Sequence, residues 1–432
     1  MRVPKILRAL LVGLVTFVVI VFLVALIGMN VGIYRAGPPH RGILVLRGGT
    51  LIDGTGREPI RNVVVVIKGN RIERVGSGLL VPPEADVIEV QGLTLLPGLI
   101  DCHVHLGGPI VERREDVRKP WKMIPDFWDY LRQMTHRRRL AIENGVTTVK
   151  SVGDVHPQIL ELRDAIAAGK LEGPRIFAVG PIFTAPGGHP AGTIYRGNPW
   201  LITRATRQVS DPEAARREVV RLAGEGVDGI KVVYSGPGEL PRLRRDVLEA
   251  IVDEAHKHEL RVVAHTRTAD EVKEVIEAGV DGLEHGLTAP EELTEDLIQL
   301  MRERGLYYVP TLQVHGSQAL PRVQANLRRL SAGGVKIALG TDANNPGRVN
   351  IGTGVHKELE LMVAAGLQPM EAILAATKNA AEHLGKGNEL GTIEPGKFAD
   401  LIAVSGDPLK TIGDVRNIRL VIKGGKVLVR VD

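Results

Sequence analysis

Apolar positions along this chain fall into short runs at both ends and into alternating short and long runs in the middle. Near the start, turn residues separate four strand-like runs, at 43–46, 63–67, 71–75 and 87–90. Similar apolar runs return near the other end, at 401–404 and 420–429. This pattern predicts a small β-sandwich built from both ends of the chain, with everything between them inserted as a second domain.

In the middle of the chain, eight short apolar runs alternate with longer amphipathic ones. The predicted strands are 99–105, 147–152, 175–182, 229–234, 261–265, 282–285, 307–312 and 336–340. Amphipathic runs between them predict helices at 213–223, 242–258, 270–278, 290–304 and 323–330. Eight strands that alternate with helices are typical of a (β/α)8 barrel. A doubly wound open sheet is the alternative, but no glycine-rich nucleotide fingerprint follows the first strand.

The N-terminus differs from the rest of the chain. Arg2, Lys5 and Arg8 precede an uncharged run from Ala9 to Tyr34, and roughly 20 apolar residues are enough to span a bilayer. We expect an uncleaved transmembrane helix, with a cleaved signal peptide as the alternative. The basic flank is expected to stay in the cytoplasm, which makes this a single-pass cell-membrane protein with an extracytoplasmic catalytic domain. After signal cleavage it would instead be secreted or periplasmic.

The predicted fold class is therefore α/β: a (β/α)8 TIM barrel with a split small β-sandwich domain and an N-terminal transmembrane helix. The bounds that we expect are 1–35 for the anchor, 42–97 for the first part of the sandwich, 98–386 for the barrel and 387–432 for the second part of the sandwich.

Composition and charge mainly exclude other functions and a disulfide. Hydrophobic residues make up 44% of the chain and charged residues 24%, which is ordinary for a globular protein. The net charge of +5 is spread over 432 residues without a dense basic block, so nucleic-acid binding is not expected. Cys102 is the only cysteine, which excludes an intramolecular disulfide. It is either a nucleophile or a small buried residue facing away from its histidine neighbours.

Candidate chemistry is concentrated where the predicted strands end. In a parallel barrel, those ends meet on one face and build the active site. The residues at these positions are His103, His105, His265, His285 and Asp342, and Lys231 lies inside the apolar strand 229–234. Taken alone, His103 and His105 are as readily explained as two histidines that pack in the core as they are by a metal site. Imidazoles and a carboxylate that converge from several strands instead indicate a metal site.

Lys231 has two interpretations, because a buried free ammonium is costly. It pairs with a carboxylate such as Glu284, or CO2 converts it into a carbamate, an anionic ligand that can bridge two metal ions. In the second case two divalent ions, expected to be zinc, share and acidify one bridging hydroxide.

These residues resemble the amidohydrolase superfamily over about residues 43–429. The motifs that carry the resemblance are P-G-L-I-D-x-H-x-H at 97–105, E-H-G at 284–286, G-T-D at 340–342 and L-G-T-I-E-P-G-K-x-A-D-L at 390–401. The sequence is most similar to the imidazolonepropionase-related Xaa-Pro dipeptidase (prolidase) branch. This resemblance implies a metal-bearing barrel beside a split β-sandwich, with a carboxylated lysine on the fourth barrel strand.

The resemblance also implies roles for individual residues. His103 and His105 would bind the more buried metal, and His265 and His285 the second. The Lys231 carbamate would bridge the two ions. Asp342 would contact the first metal and carry the proton between water and the leaving amine.

Two further residues are candidate catalytic and substrate-binding residues. His189 lies in a Gly-Gly-His segment similar to one of that branch, where it would hydrogen-bond the substrate or the developing oxyanion. Tyr234, three residues after Lys231, would polarise the scissile carbonyl or hold the substrate carboxylate. The structural alternatives are a loop histidine without a role and a tyrosine that packs at the barrel rim.

The predicted function is that of a metal-dependent hydrolase that cleaves an amide bond in an Xaa-Pro type dipeptide or an N-acyl amino acid. One alternative is a mononuclear deaminase or a cyclic-amide or lactone hydrolase of the same superfamily. Many such deaminases carry a Glu soon after the histidine of the fifth strand, whereas here the next one is Glu271. Another alternative is a non-catalytic membrane-tethered binding protein. Expected partners are the small-molecule or dipeptide substrate, the membrane, and a second copy of the chain if it forms a homo-oligomer.

Overall fold

The computed structural model describes residues 42–107, 127–236, 238–287, 293–344 and 349–431, together with Gly13 and Thr16. Strands are numbered here in chain order. The strands of the two terminal regions are β1 Ile43–Arg47, β2 Thr50–Leu51, β3 Ile60–Arg61, β4 Val63–Lys68, β5 Arg71–Ser77, β6 Asp86–Glu89, β7 Leu93–Pro97, β18 Leu401–Ser405, β19 Ile418–Lys423 and β20 Lys426–Arg430.

These strands form two sheets that share one apolar core. The first has the order β5-β4-β1-β6, and the second has the order β20-β19-β18-β7-β2-β3. Strand β7 pairs antiparallel with β18, so one sheet contains strands from both ends of the chain. Leu46 and Val65 of the first sheet and Leu95 and Ala403 of the second are fully buried in the same core.

Parallel strands occupy the middle of the chain. They are β8 Leu99–Val104, β9 Val146–Ser151, β10 Arg175–Ala178, β11 Ile182–Thr184, β12 Thr206–Gln208, β13 Ile230–Val233, β14 Val262–His265, β15 Gly282–Glu284, β16 Tyr307–Val309 and β17 Lys336–Ile337. One sheet has the order β10-β9-β8 and the other β12-β11-β13-β14-β15-β16-β17. The run predicted as one strand over 175–182 is interrupted at Gly180, whose φ of 67° ends β10 before β11 begins.

Backbone hydrogen bonds join these two sheets at two places. The Cys102 amide donates to the Leu339 carbonyl at 2.9 Å, and the Asp342 amide donates to the His103 carbonyl at 2.8 Å. On the other side, the Asp228 amide just before β13 donates to the Ala178 carbonyl at 2.8 Å. The parallel strands therefore surround one interior, and their carboxyl ends lie on the same side of it.

Helices alternate with the parallel strands. They are α1 Phe127–Glu143, α2 Gln158–Ala167, α3 Pro199–Ala205, α4 Pro212–Gly224, α5 Arg245–Lys257, α6 Ala269–Glu277, α7 Glu295–Glu303, α8 Leu320–Ala332, α9 Thr353–Ala364, α10 Pro369–Ala375 and α11 Lys378–His383. Short 3-10 segments lie at Leu312–Val314 and Ile412–Arg416. Helix α5 shows the usual pattern, because Val247, Leu248 and Ile251 are buried on one face while Arg245 and Glu249 pair on another.

The prediction of an N-terminal transmembrane helix, and of the single-pass membrane location that rested on it, is wrong. Among the residues that the structure describes, no helix is both long and apolar enough to cross a bilayer. Helices such as α5, α6 and α7 bury an apolar face within the protein. Apart from Gly13 and Thr16, the run from Ala9 to Tyr34 and the anchor or signal peptide predicted over 1–35 lie outside the described residues. The fold that the structure shows is mixed α/β.

Candidate metal centre

The carboxyl ends of the parallel strands bring histidines and one aspartate together. His103 lies in β8, His285 directly follows β15, and Asp342 follows β17. Each of the three is buried and offers one ligand atom, and these atoms all lie within 4.8 Å of one another. Two imidazoles and a carboxylate at this spacing can hold a divalent cation.

His105 and His265 extend this group. The Nε2 atoms of His105 and His103 lie 3.1 and 3.5 Å from the same oxygen, Oδ1 of Asp342. The ring of His285 lies 4.7 Å from that of His103 and 4.8 Å from that of His265, centroid to centroid. We call the set of His103, His105, Lys231, His265, His285 and Asp342 the strand-end cluster.

The Nδ1 atoms of these histidines face polar side chains behind the cluster. His103 Nδ1 lies 2.5 Å from Glu284 Oε2, and His285 Nδ1 lies 2.6 Å from Thr311 Oγ1. His105 Nδ1 is 3.8 Å from Asp154 Oδ1. Metal-binding histidines are oriented in this way, with one nitrogen held by a carboxylate or hydroxyl and the other presented to the ion.

Lys231 lies on β13 among these imidazoles. It is 3% exposed, and its Nζ makes no hydrogen bond with any described residue. Burial lowers the pKa of this amine to about 8. Burial is also the main cause of the lowered pKa values of His103, His265 and His285, and the nearby charge of Lys231 lowers each of them further.

Asp342 has the opposite electrostatic environment. Burial alone would raise the pKa of its carboxyl, but the hydrogen bond with His105 and the nearby charge of His103 hold that pKa well below its usual range. The cluster therefore presents an anionic carboxylate, and the lowered pKa values of His103, His265 and His285 favour neutral imidazoles. Those are the protonation states in which these groups bind metal. Burial also acts to lower the pKa of His105, but the hydrogen bond and the charge of Asp342 outweigh it and raise that pKa.

Backbone conformation around the cluster is constrained. His285, Thr311 and Asp342 have φ values of 69°, 43° and 54°, a left-handed region that non-glycine residues rarely adopt. At Gly340 a Cβ atom would lie 2.8 Å from His103 Cβ. Glycine at that position therefore permits the close approach of the last parallel strand to the histidine.

His189, one of the two further site residues predicted from the sequence, lies beside the cluster. Its ring centroid is 5.4 Å from that of His265, and its Nδ1 lies 2.6 Å from Thr193 Oγ1. Thr193 therefore holds the imidazole in place at the edge of the cluster.

Tyr234, the other predicted residue, is not brought to the cluster. Its ring packs in the apolar core, and its hydroxyl donates to the Glu274 carboxylate of α6. The Arg242 guanidinium also lies over the ring, 5.1 Å from the centroid. The physical reason is strand geometry, because residues three apart in an extended segment point to opposite faces. Tyr234 thus faces the helices, whereas Lys231 faces the cluster.

Cys102, the candidate nucleophile, is not one of the residues of the strand-end cluster. It is fully buried, and its thiol donates to the Ala380 carbonyl at 3.7 Å. Burial raises the pKa of the thiol well above its ordinary value. A thiol in that environment is a packing group rather than a nucleophile.

Sequence reasoning missed several polar residues that contact the cluster. The sequence pattern does not single out Asp154 and Thr311 behind the histidines, and it suggests Glu284 only as a partner for Lys231. Lys150 on β9 is a further contact, because its Nζ lies 3.6 Å from Glu284 Oε1. The signal that singled out Lys231, a lysine within an apolar strand, is present at Lys150 too.

Comparison with known proteins gives a consistent result. The model of the Amidohydrolase family matches residues 94–428. An ochratoxinase from Aspergillus niger is 30% identical, over 89% of this chain and 86% of that protein. An imidazolonepropionase from Geobacillus thermodenitrificans is 27% identical, over 80% of this chain and 83% of that protein. The crystal structure of a Xaa-Pro dipeptidase with methionine bound in its active site superposes with a TM-score of 0.75 at 32% identity. That match covers 90% of this chain and 100% of the dipeptidase chain.

Proposed function

The chain belongs to the amidohydrolase family, and we propose that it cleaves the amide bond of an Xaa-Pro dipeptide or of an N-acyl amino acid. As a member of the branch that contains imidazolonepropionases and Xaa-Pro dipeptidases, it is a hydrolase that acts on carbon–nitrogen bonds. The finer proposal concerns its substrate and the way in which its site works.

The observation that carries the proposal is the arrangement of metal donors. Ligand atoms of His103, His285 and Asp342 lie within 4.8 Å of one another, and the Nε2 atoms of both His103 and His105 face the same Asp342 oxygen. These residues fit divalent cations. When bound, such ions polarise a carbonyl and lower the pKa of water.

We assign the ligands to two ions, expected to be zinc. His103, His105 and Asp342 would hold one ion, and His265 and His285 would hold the other. Lys231, as its carbamate, would lie between them. In this assignment His103 and His285, whose ring centroids are 4.7 Å apart, would bind neighbouring ions rather than one shared ion.

The state of Lys231 supports the carbamate. Its Nζ has no hydrogen-bond partner among the described residues, and burial brings the pKa of the amine to about 8, which leaves part of it neutral near pH 7. Pairing of Lys231 with a carboxylate such as Glu284 is the other interpretation. The charge of Lys231 does lower the pKa of Glu284, but the close contacts of that carboxylate are with His103 and Lys150.

The protein's own groups then move the proton and orient the substrate. Asp342, with its lowered pKa, accepts a proton as water attacks the amide carbon and passes it to the nitrogen of the leaving amine. His189, held by Thr193 beside His265, would hydrogen-bond the amide oxygen as negative charge develops on it.

Deamination is less well supported by the structure. Glu271, the first Glu after His265, caps helix α6: its carboxylate accepts from the Arg267 and Thr268 amides at 2.8 and 3.2 Å. Thr268 in turn accepts from the Glu271 amide, completing a capping box. These hydrogen bonds therefore hold the Glu271 carboxylate at the N-terminus of helix α6.

A substrate panel on the purified full chain tests the proposal. It contains Xaa-Pro dipeptides, dipeptides without proline, N-acyl amino acids, cyclic amides and lactones. We expect hydrolysis of at least one Xaa-Pro dipeptide or N-acyl amino acid, loss of that activity after chelation and its return with added Zn²⁺. The Asp342→Asn variant, purified in parallel, controls for contaminating peptidases.

The opposite pattern would refute the proposal. Inactivity on every dipeptide and N-acyl amino acid, together with turnover of a cyclic amide or a lactone, would assign the site to the alternative class of substrates.

A further inference from the structure

Lys150 is a second buried lysine in the same interior, and the proposed reaction gives it no role. It lies on β9 and is 6% exposed. Its Nζ is 3.6 Å from Glu284 Oε1 and donates to His383 Nε2 at 3.1 Å. The pKa of His383 lies well below its ordinary value, mainly through burial, so its imidazole is neutral and accepts this bond.

Glu284 connects Lys150 to the strand-end cluster. This carboxylate is fully buried, and its other oxygen holds His103 Nδ1 at 2.5 Å. Burial alone would raise its pKa, but the charges of Lys231, His103 and Lys150 hold that pKa well below the usual range. The anion that orients His103 is therefore stabilised by two buried lysines, one on each of two strands.

Carboxylation of Lys231 would change the balance of charge around Glu284. The lone pair of the neutral Nζ forms a bond to the carbon of CO2, one C=O electron pair moves onto oxygen, and Nζ loses a proton to solvent. Lys231 thereby becomes an anion and no longer compensates Glu284. Among the described lysines, Lys150, with its Nζ 3.6 Å from Glu284 Oε1, is then the one left to compensate this carboxylate. Burial lowers the pKa of the Lys150 amine, and the charge of Glu284 acts against that shift.

We propose that Lys150 is a positioning residue whose ammonium holds Glu284, and through it His103, while Lys231 is carboxylated. This inference rests on the proposed function. Lys150 acts through Glu284 and touches neither substrate nor metal. Its removal leaves a buried carboxylate next to a new anion, which disfavours both the carbamate and the ligand geometry.

Lys150→Met and Lys150→Gln test the inference, because both remove the charge and the glutamine keeps a hydrogen-bonding end. Lys150→Arg retains the charge. Lys336→Met is the matched control, since that lysine is half-exposed and pairs with Glu382 at 3.5 Å. Each protein is equilibrated with ¹³C-bicarbonate, the carbamate carbon is counted by NMR, and Zn²⁺ affinity is measured with a competing chelator.

We expect the two neutral variants to lose most of the carbamate signal at ambient CO2 and to bind Zn²⁺ about 10–100-fold more weakly. Excess bicarbonate should restore part of the signal. Lys150→Arg and Lys336→Met should resemble the wild type. If the neutral variants do not fold, Lys150→Arg alone decides the matter, because loss of its carbamate would contradict a role that depends on charge.

The outcomes separate this inference from the function that it rests on. A wild-type protein that hydrolyses the amide but shows no carbamate would overturn the bridging lysine and Lys150's role with it. A wild-type carbamate that persists unchanged in folded Lys150→Met, with unchanged Zn²⁺ affinity, would overturn the role of Lys150 alone.

Discussion

Two groups of charged side chains in this molecule serve different ends. One is the strand-end cluster. The other, which we call the junction group, consists of Arg71, Arg175, Phe398, Asp400 and Lys423 and lies where the parallel strands meet the two-sheet region. In the junction group, the guanidiniums of Arg71 and Arg175 each lie 4.3 Å from the centroid of the Phe398 ring.

The two groups differ in the partners of Asp400 and of Lys231, although Arg175 Nε of the junction group also lacks a hydrogen-bond partner among the described residues. In the junction group, Asp400 Oδ1 accepts from the Gly424 amide at 2.6 Å, and Oδ2 accepts from Arg175 at 3.4 Å. Arg71 donates to the Gly396 carbonyl at 2.6 Å. In the strand-end cluster, the Lys231 amine has no hydrogen bond to a described residue. Buried polar atoms are normally satisfied, so an amine left without a partner among presented imidazoles indicates a site built for another group.

The largest expected difference in activity comes from replacing one aspartate with asparagine in each group. Asp342→Asn should lower kcat/KM about 10²–10⁴-fold, because it removes the proton carrier and weakens a ligand. Asp400→Asn should leave kcat/KM nearly unchanged and lower the free energy of unfolding, because it weakens a buried ion pair. Steady-state kinetics and urea denaturation of both variants measure this. Equal losses of activity would remove the distinction between the groups.

His189→Ala should have the next largest effect. Loss of an oxyanion donor costs about 10²–10³-fold, mainly in kcat. Thr193→Val is the control, because it removes the partner of Nδ1 and keeps the imidazole, so its effect should be smaller. A His189→Ala variant whose KM alone rises would instead assign the residue to ground-state substrate binding.

The pH dependence of stability should reveal the junction group. Burial lowers the pKa of Lys423 from 10.5 to about 8, with Asp400 acting against burial and Arg175 in the same direction. The folded state therefore favours the neutral amine. Its stabilising contribution is present above the ordinary pKa and is lost as pH falls through about 8.

Lys423→Met removes this titration. Between pH 7 and pH 10, the wild type should gain about 2 kcal/mol of stability relative to the variant. Urea denaturation at several pH values measures the difference. A difference that stays constant with pH would show that Lys423 titrates as an exposed lysine does.

Tyr234→Phe should have the smallest effect on activity. Its hydroxyl donates to Glu274, so the substitution should leave kcat/KM within about threefold and cost about 1 kcal/mol of stability. Thermal denaturation and kinetics on one preparation measure both quantities. A loss of activity that approaches that of His189→Ala would restore Tyr234 to the site predicted from the sequence.

Much of the cluster could be predicted because strand direction determines where polar residues meet. The runs that contain Lys231 and His265 were placed within one residue of the observed strands β13 and β14. Parallel strands put their carboxyl ends on one side, which brings His285 and Asp342 to the same place without any knowledge of distances.

The contacts around Glu284 could not be predicted, because they depend on side-chain geometry that residue type does not encode. Glu284 contacts His103 and Lys150 and makes no direct hydrogen bond with Lys231. These contacts follow from the side-chain directions on three strands. Alternation along a strand is a signal in the sequence that puts Tyr234 on the face opposite Lys231. The membrane helix is an expectation from the apolar content, length and basic flank of the run, and no described helix is long and apolar enough to meet it.

Metal analysis of the purified full chain tests the central claim most directly. The claim is that the strand-end cluster is a metal centre completed by Lys231. Wild-type protein and Asp400→Asn should each carry about two divalent ions per chain, whereas Lys231→Ala should carry about one or fewer. A wild-type content near one ion that Lys231→Ala leaves unchanged would contradict the claim, and fully active protein without any bound ion would refute it.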